Sequence, residues 1–141
     1  MTSPSSVVSP SEALGRGIFD SRKAKNARRG TILPGVFRER SGIHQLSVDR
    51  LSFGCHEEIS SVHDMERPGQ KFHGWAVISA ESASQSGRTV VARPIEPQNP
   101  YHAEIVLPDM TGLDADEEQD QHALNLAMMA KWLSRPTSDN S

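Results

Sequence analysis

At 141 residues, with 35% apolar and 5% aromatic side chains, the chain has the length of one ordinary domain and too little apolar material for two independent cores. Charged residues reach 23% while the formal net charge is only −3, which argues against a uniformly basic nucleic-acid binder and against an acidic disordered solvator. No apolar run approaches the roughly 20 residues that span a bilayer, no secretory leader is read at the start, and the single cysteine, Cys55, excludes an internal disulfide and suits a cytoplasmic protein.

The opening, MTSPSSVVSPS, cannot bury enough apolar surface to offset ordering, so a flexible tail is expected over 1–12, one α+β domain over 13–133 and a second tail over 134–141. Asp20 or Ser21 caps a helix running through Ala24 and Ala27 to Arg29, where Gly30 stops it. The loop TILPG follows, and Val36-Phe37 opens an extended stretch. Over 44–53, Leu46 and Val48 share one strand face, opposite Gln45, Ser47 and Asp49. Over 55–67, Ile59, Val62 and Met65 describe a helical stripe that Pro68-Gly69 terminates. FHGWAVISA, residues 72–80, is the strongest strand signal, and a strand over 89–95 is expected to pair with it as a hairpin. Pro94, Pro97 and Pro100 bend the chain before a further strand over 101–107. An acidic run over 113–121 then opens a helix that continues through HALNLAMMAKWL, with Leu124, Ala127, Met128 and Lys131 or Trp132 at helical spacing. Trp75 and Trp132 read as core packing. The expected architecture is α+β: a small, largely antiparallel sheet of about four strands, with two or three helices on one side.

Charge is unevenly distributed. Residues 16–40 carry eight cations (Arg16, Arg22, Lys23, Lys25, Arg28, Arg29, Arg38 and Arg40) against Asp20 and Glu39, whereas residues 109–120 carry six acids and no base. A cationic helix on a near-neutral chain suits a polyanion such as nucleic acid, or an acidic protein, with Arg22, Lys23, Lys25, Arg28, Arg29 and Arg40 as the anion-binding set. The competing reading is a merely solvated helix, or one docked on the chain's own acidic segment. No aromatic residue is interleaved with residues 22–29, which argues against base stacking on that helix.

Catalytic motifs are scarce. Gly15-Arg16-Gly17 is a G-x-G with no strand read before it, and no G-K-[ST], G-x-S-x-G, C-x-x-C or H-E-x-x-H occurs, so no cofactor or metal is expected. His56 and His63 fall two turns apart on one helical face, too far apart for a common zinc ion, and read as surface histidines. Cys55 reads as a small buried side chain rather than a nucleophile beside His56. One constellation stands out. Ser47 and Asp49 share a strand face, as do His102 and Glu104. If those strands are neighbours, Ser47, Asp49 and His102 converge with an arginine such as Arg38: a carboxylate to orient an imidazole, and a guanidinium fork for phosphate. The competing reading is ordinary alternation on a solvated sheet face.

The segments Val36-Phe37-x-x-Arg40, Leu46-Ser47-Val48 and Asn99-Pro100-x-His102-Ala103-x-Ile105 resemble, in that order, a group of small bacterial proteins of unassigned role that share a Phe-x-x-Arg, Leu-Ser-Val and Pro-x-His-Ala-x-Ile strand pattern. The resemblance implies a shared organisation, with the Leu-Ser-Val and His-Ala strands in one unit, and no particular reaction. Three functions are therefore expected in order: a binding or accessory protein engaging an anionic partner through the basic segment; a small phosphoryl- or nucleotide-processing enzyme using His102, Asp49, Ser47 and Arg38; and an interaction subunit that forms a homodimer through a strand edge or the last helix.

Overall fold

The computed structural model describes residues 5–110 and 114–137. Six strands form one open antiparallel sheet: β1 (Ala13–Ile18), β2 (Gln45–Arg50), β3 (Gly74–Ser79), β4 (Thr89–Ala92), β5 (His102–Val106) and β6 (Lys131–Ser134). Their spatial order is β4-β5-β2-β1-β3-β6. Four helices accompany them: α1 (Ser21–Arg28), α2 (His56–Glu66), α3 (Ala80–Ala83) and α4 (Ala115–Met129). The α+β class and the antiparallel pairing match the expectation, but the sheet is larger by two strands and there are four helices where two or three were expected.

The helices do not share one side. Ala24 and Ala27 of α1, Val36 and Phe37 of a single 3-10 turn, Ala80 and Ala83 of α3, and Ala123, Leu126 and Ala127 of α4 pack with Leu14, Leu46, Val48, Ala76, Ile78 and Ile105 on one face. On the other face, α2 lays Ile59 over Trp75, Phe72 and Leu51. Alternation along β3 divides the two cores, because Ala76 and Ile78 point one way and Trp75 the other. Gly15 of β1 lies under that indole. A Cβ there would sit 2.6 Å from Trp75 Cδ1, so the closeness of this packing requires glycine.

α1 begins and ends where its sequence dictates. Asp20 accepts a hydrogen bond from the Lys23 amide at 2.9 Å, and Gly30 takes a positive φ of 98° just past the helix. Other elements depart from expectation. Residues 34–37 coil into a 3-10 turn, not an extended stretch, with Pro34 at its first turn. The strand over 89–95 does not pair with β3; β4 pairs with β5, while β3 is flanked by β1 and β6. β1 was not expected because two glycines and Arg16 hide its alternation. The last helix stops at Met129, and Lys131 and Trp132 lie in β6, where Trp132 is half-buried beneath the Arg28 guanidinium at 5.6 Å. The free edge of β3 accounts for this, since four more residues can complete its ladder. Leu113, at the start of the expected acidic run, lies outside the described residues, as do 1–4 and 138–141 of the expected tails.

Residues 5–12, assigned by composition to a tail, are held by a buried guanidinium. Arg50, 1% exposed, donates to both oxygens of Glu12 at 2.9 Å and to the carbonyls of Ser5 and Val7. Burial would raise the Glu12 carboxyl, but the Arg50 hydrogen bond and the Ser9 amide outweigh it and hold it below the ordinary carboxylate value. At the opposite end, Arg135 donates to both carboxylate oxygens of Asp64 at 2.9 Å, clipping the chain beyond β6 onto α2.

Arg88, 3% exposed, is satisfied by the Ala83 carbonyl, Asn125 Oδ1 at 2.7 Å and His122 Nδ1 at 2.8 Å. Burial, then the Arg88 charge, holds His122 below the ordinary imidazole value of 6.5, and burial followed by Arg28 does the same to His73. Both imidazoles therefore take up a proton less readily in the fold than in the unfolded chain, where protonation begins near pH 6.5. The unfolded state then binds more protons, so stability is lost as pH falls through that value. Urea midpoints measured against pH are expected to decline there. His122→Gln, which keeps an acceptor for Arg88 but cannot titrate, is expected to flatten part of the slope. An unchanged slope would show that His122 contributes nothing to it.

Candidate functional site

β1 and β2 pair only at Leu14↔Arg50 and Gly15↔Asp49. Beyond that point β1 continues along β3 as far as Ile18↔Gly74, and β2 continues along β5 as far as Gln45↔Val106. The two central strands therefore splay apart. Arg16 spans the fork: it donates to the carbonyls of Val36 at 2.9 Å and Ser47 at 3.0 Å and pairs with Glu39 at 3.0 Å. One bond thus reaches a carbonyl of β2 and the other a carbonyl of the 3-10 turn, so the guanidinium ties the turn to the sheet where β1 and β2 part. A cleft of about 380 Å³ opens at the fork, the size of a small-ligand site.

Asp49 forms its floor. This carboxylate is 2% exposed and is fully engaged: Trp75 Nε1 donates to Oδ2 at 2.9 Å, His63 Nε2 lies 2.6 Å from the same oxygen, and Asn99 Nδ2 lies 3.5 Å from Oδ1. His63 descends from α2, its ring stacked 4.6 Å from Phe72 and edge-on to Phe19 at 5.3 Å. An ionised carboxylate accepts only, so the His63 proton sits on Nε2 and the lone pair on Nδ1. Such an imidazole has a fixed orientation and an acceptor nitrogen turned away from the carboxylate, the arrangement of a general base.

The sequence-derived constellation is partly assembled. β2 and β5 are neighbours, with Asp49 directly opposite His102 and Ser47 opposite Glu104. Ser47, Asp49, His102 and Arg38 all line the cleft. Their contacts differ from those expected. His102 bonds through Nδ1 to the Arg93 carbonyl at 2.9 Å, and Glu104 pairs with Arg93 at 2.9 Å, so the imidazole oriented by Asp49 is His63 rather than His102. Arg38 is already engaged by the acidic helix, with Asp120 at 2.6 Å and Asp116 at 3.5 Å.

His63 was read as a surface histidine, yet its side chain is 14% exposed. The error came from the stripe. Residues spaced three apart rotate by about 60° per step on an α-helix, so the series Ile59, Val62, Met65 drifts off the sheet, and Met65 ends 77% exposed. The spacing that holds one face is His56, Ile59 or Ser60, and His63. His56 does meet the Trp75 ring edge-on at 5.5 Å. That stripe, read together with Asp49 on the alternate face of β2, was the available signal.

The basic segment splits in two. Arg16 and Arg38 are internally paired. Arg22, Lys25, Arg29 and Arg40 are exposed and form no ion pair among the described residues, while Arg28 leans on His73 Nδ1 at 3.3 Å and on Trp132. Lys23 reaches the cleft, with Nζ 3.4 Å from the Gly35 carbonyl. The exposed face of α1 thus runs into the rim of the fork.

No family model, curated protein or solved structure matches the chain. Among the described residues no three His, Cys, Asp or Glu side chains are grouped as metal ligands, and no helix is long and apolar enough to cross a membrane. Cys55 points its Sγ at Tyr101 Oη, 3.0 Å away, outside the Asp49 cluster.

Proposed function

We propose that this chain is a cytoplasmic nucleic-acid-binding accessory protein that engages the phosphate backbone through the exposed face of α1. The observation that supports this reading is the incomplete internal neutralisation of the basic segment. The acidic run of α4 takes Arg38, whereas Arg22, Lys25 and Arg29 have no carboxylate partner among the described residues. Had the acids covered α1, the cations would be spent. Each phosphate neutralised on duplex DNA contributes about −0.9 to the slope of log K against log salt, so three to four contacts predict roughly −3 to −4. Fluorescence anisotropy across a salt series is expected to give that slope, and the combined Arg22→Ala, Lys25→Ala and Arg29→Ala variant to reduce it by about 3. No binding at low salt, or a slope the variant leaves unchanged, rejects the reading; binding to an acidic protein alone would replace nucleic acid with that partner.

A second reading, a phosphoryl- or nucleotide-processing enzyme, is favoured by a separate observation. The fork brings Ser47, Asp49, His102 and Arg38 to one cleft and adds His63. The order of the strands suits this role, since a site between splayed central strands is held by the rigid sheet.

A further inference from the structure

We propose that the fork is an active site that cleaves single-stranded RNA by internal transphosphorylation, with His63 as the base; this rests on the nucleic-acid reading above. His63 Nδ1 makes no hydrogen bond among the described residues, and it is not sealed away, since the buried polar side-chain atom left without a partner there is His73 Nε2. Phe19 and Phe72 clamp the ring, so the lone pair has a fixed direction. Asp49 acts as a positioning residue. With Trp75 and Asn99 also on its oxygens, it stays in place as His63 takes a proton and becomes cationic.

Two cations at the rim have no carboxylate partner among the described residues. Lys23 has one long bond to a carbonyl, and Arg67 lies 4.1 Å over the Phe19 ring with no carboxylate partner among the described residues. Both line the cleft and suit a phosphate, and Lys23 continues the exposed face of α1.

The choice of RNA follows from the nucleophile. Ser47, the hydroxyl side chain of the cleft, makes no hydrogen bond to either imidazole, so the site has a base without an activated nucleophile of its own. RNA carries one beside every phosphorus. His63 Nδ1 takes the proton of the ribose 2′-OH, the 2′ oxygen bonds to phosphorus, and the bond from phosphorus to the 5′ oxygen breaks. His102, whose Nδ1 is held by the Arg93 carbonyl, gives the leaving oxygen a proton from Nε2 of its imidazolium form. The products are a 2′,3′-cyclic phosphate and a 5′-hydroxyl; one histidine gains the proton that the other loses, and no co-reactant is needed.

The full chain is to be incubated with a labelled single-stranded RNA oligonucleotide and with its 2′-O-methyl counterpart, binding to the latter being measured by anisotropy. The expected result is cleavage of the RNA alone, leaving cyclic phosphate ends. His63→Ala should lower the rate about a hundredfold or more while binding is retained. Because His63→Ala removes a packed ring, the surface pair Lys23→Ala and Arg67→Ala serves as a second variant, expected to lose at least tenfold with an unchanged circular dichroism spectrum. The proposal is overturned if RNA is bound yet stays intact, if the methylated strand is cut equally, or if both variants cleave at the parental rate. Failure to bind the methylated strand at low salt would instead remove the binding reading, and this proposal with it.

Discussion

Asp49→Ala is expected to destabilise the fold by about 2–5 kcal/mol, because two buried donors, each costing roughly 1–3 kcal/mol when left unsatisfied, lose their acceptor. The carboxylate is 2% exposed and is the hydrogen-bond partner of both Trp75 Nε1 and His63 Nε2. Alanine would leave an indole N–H and an imidazole N–H facing a cavity, each carrying an unrecovered desolvation cost. The effect reaches two layers at once, because Trp75 is the largest side chain of the core beneath α2 and lies against Gly15 of β1. Asp49→Asn retains an acceptor for Trp75 and is expected to cost less, about 1–3 kcal/mol. It can turn its amide N–H toward His63 Nε2 and so disturb the tautomer and orientation of that ring, so any activity of the fork should be lost even where the fold is kept. Urea unfolding followed by tryptophan fluorescence measures the stability of the two variants. An Asp49→Ala variant within about 1 kcal/mol of the parent would contradict the buried cluster described above.

Gly74→Ala is the second large effect, roughly 3 kcal/mol with loss of β6 from the sheet. Gly74 opens β3 at a φ of 148°, a conformation L side chains rarely adopt. A Cβ would also clash with the Leu133 carbonyl oxygen and stand 2.8 Å from the Trp132 ring and 3.0 Å from the Arg135 amide. Backbone is one of the clashing groups, so no rotamer change relieves it. The variant is expected to lose hydrogen-exchange protection at the β6 amides and to loosen the Arg135–Asp64 clip on α2. Gly17→Ala is the control: its Cβ would meet the Phe19 ring at 3.1 Å, a contact that a tilting ring relieves, and about 1 kcal/mol or less is expected. Equal destabilisation by the two substitutions would refute the account of Gly74.

The candidate site is half legible in the sequence. Ser47, Asp49, His102 and Glu104 were placed by period-2 alternation, and β2 and β5 do lie side by side. What alternation could not supply was the third layer. Which face of the sheet α2 covers decides that Asp49 meets an imidazole from a helix rather than the one across the ladder. The competition for Arg38 was equally invisible. Its partners stand 78 and 82 residues away in sequence, and no local pattern distinguishes a guanidinium paired with Asp116 and Asp120 from the unpaired ones of α1.

Features whose causes lie within a few residues were determined by the sequence itself: the Asp20 cap and Gly30 stop of α1, the two faces of β2 and β5, the antiparallel α+β character, and a cationic helix with alanines beneath it. Tertiary structure alone decided the strand order, the fork at Gly15↔Asp49, the seating of Arg50 on residues 5–12, and the placing in a strand of residues 131–133, expected as helix, and of Ser134, expected as tail. The physical reason is the range of the forces involved. Caps and alternation follow from backbone geometry and from side-chain direction along one segment, whereas ladder partners and buried ion pairs gain their free energy only from a second segment.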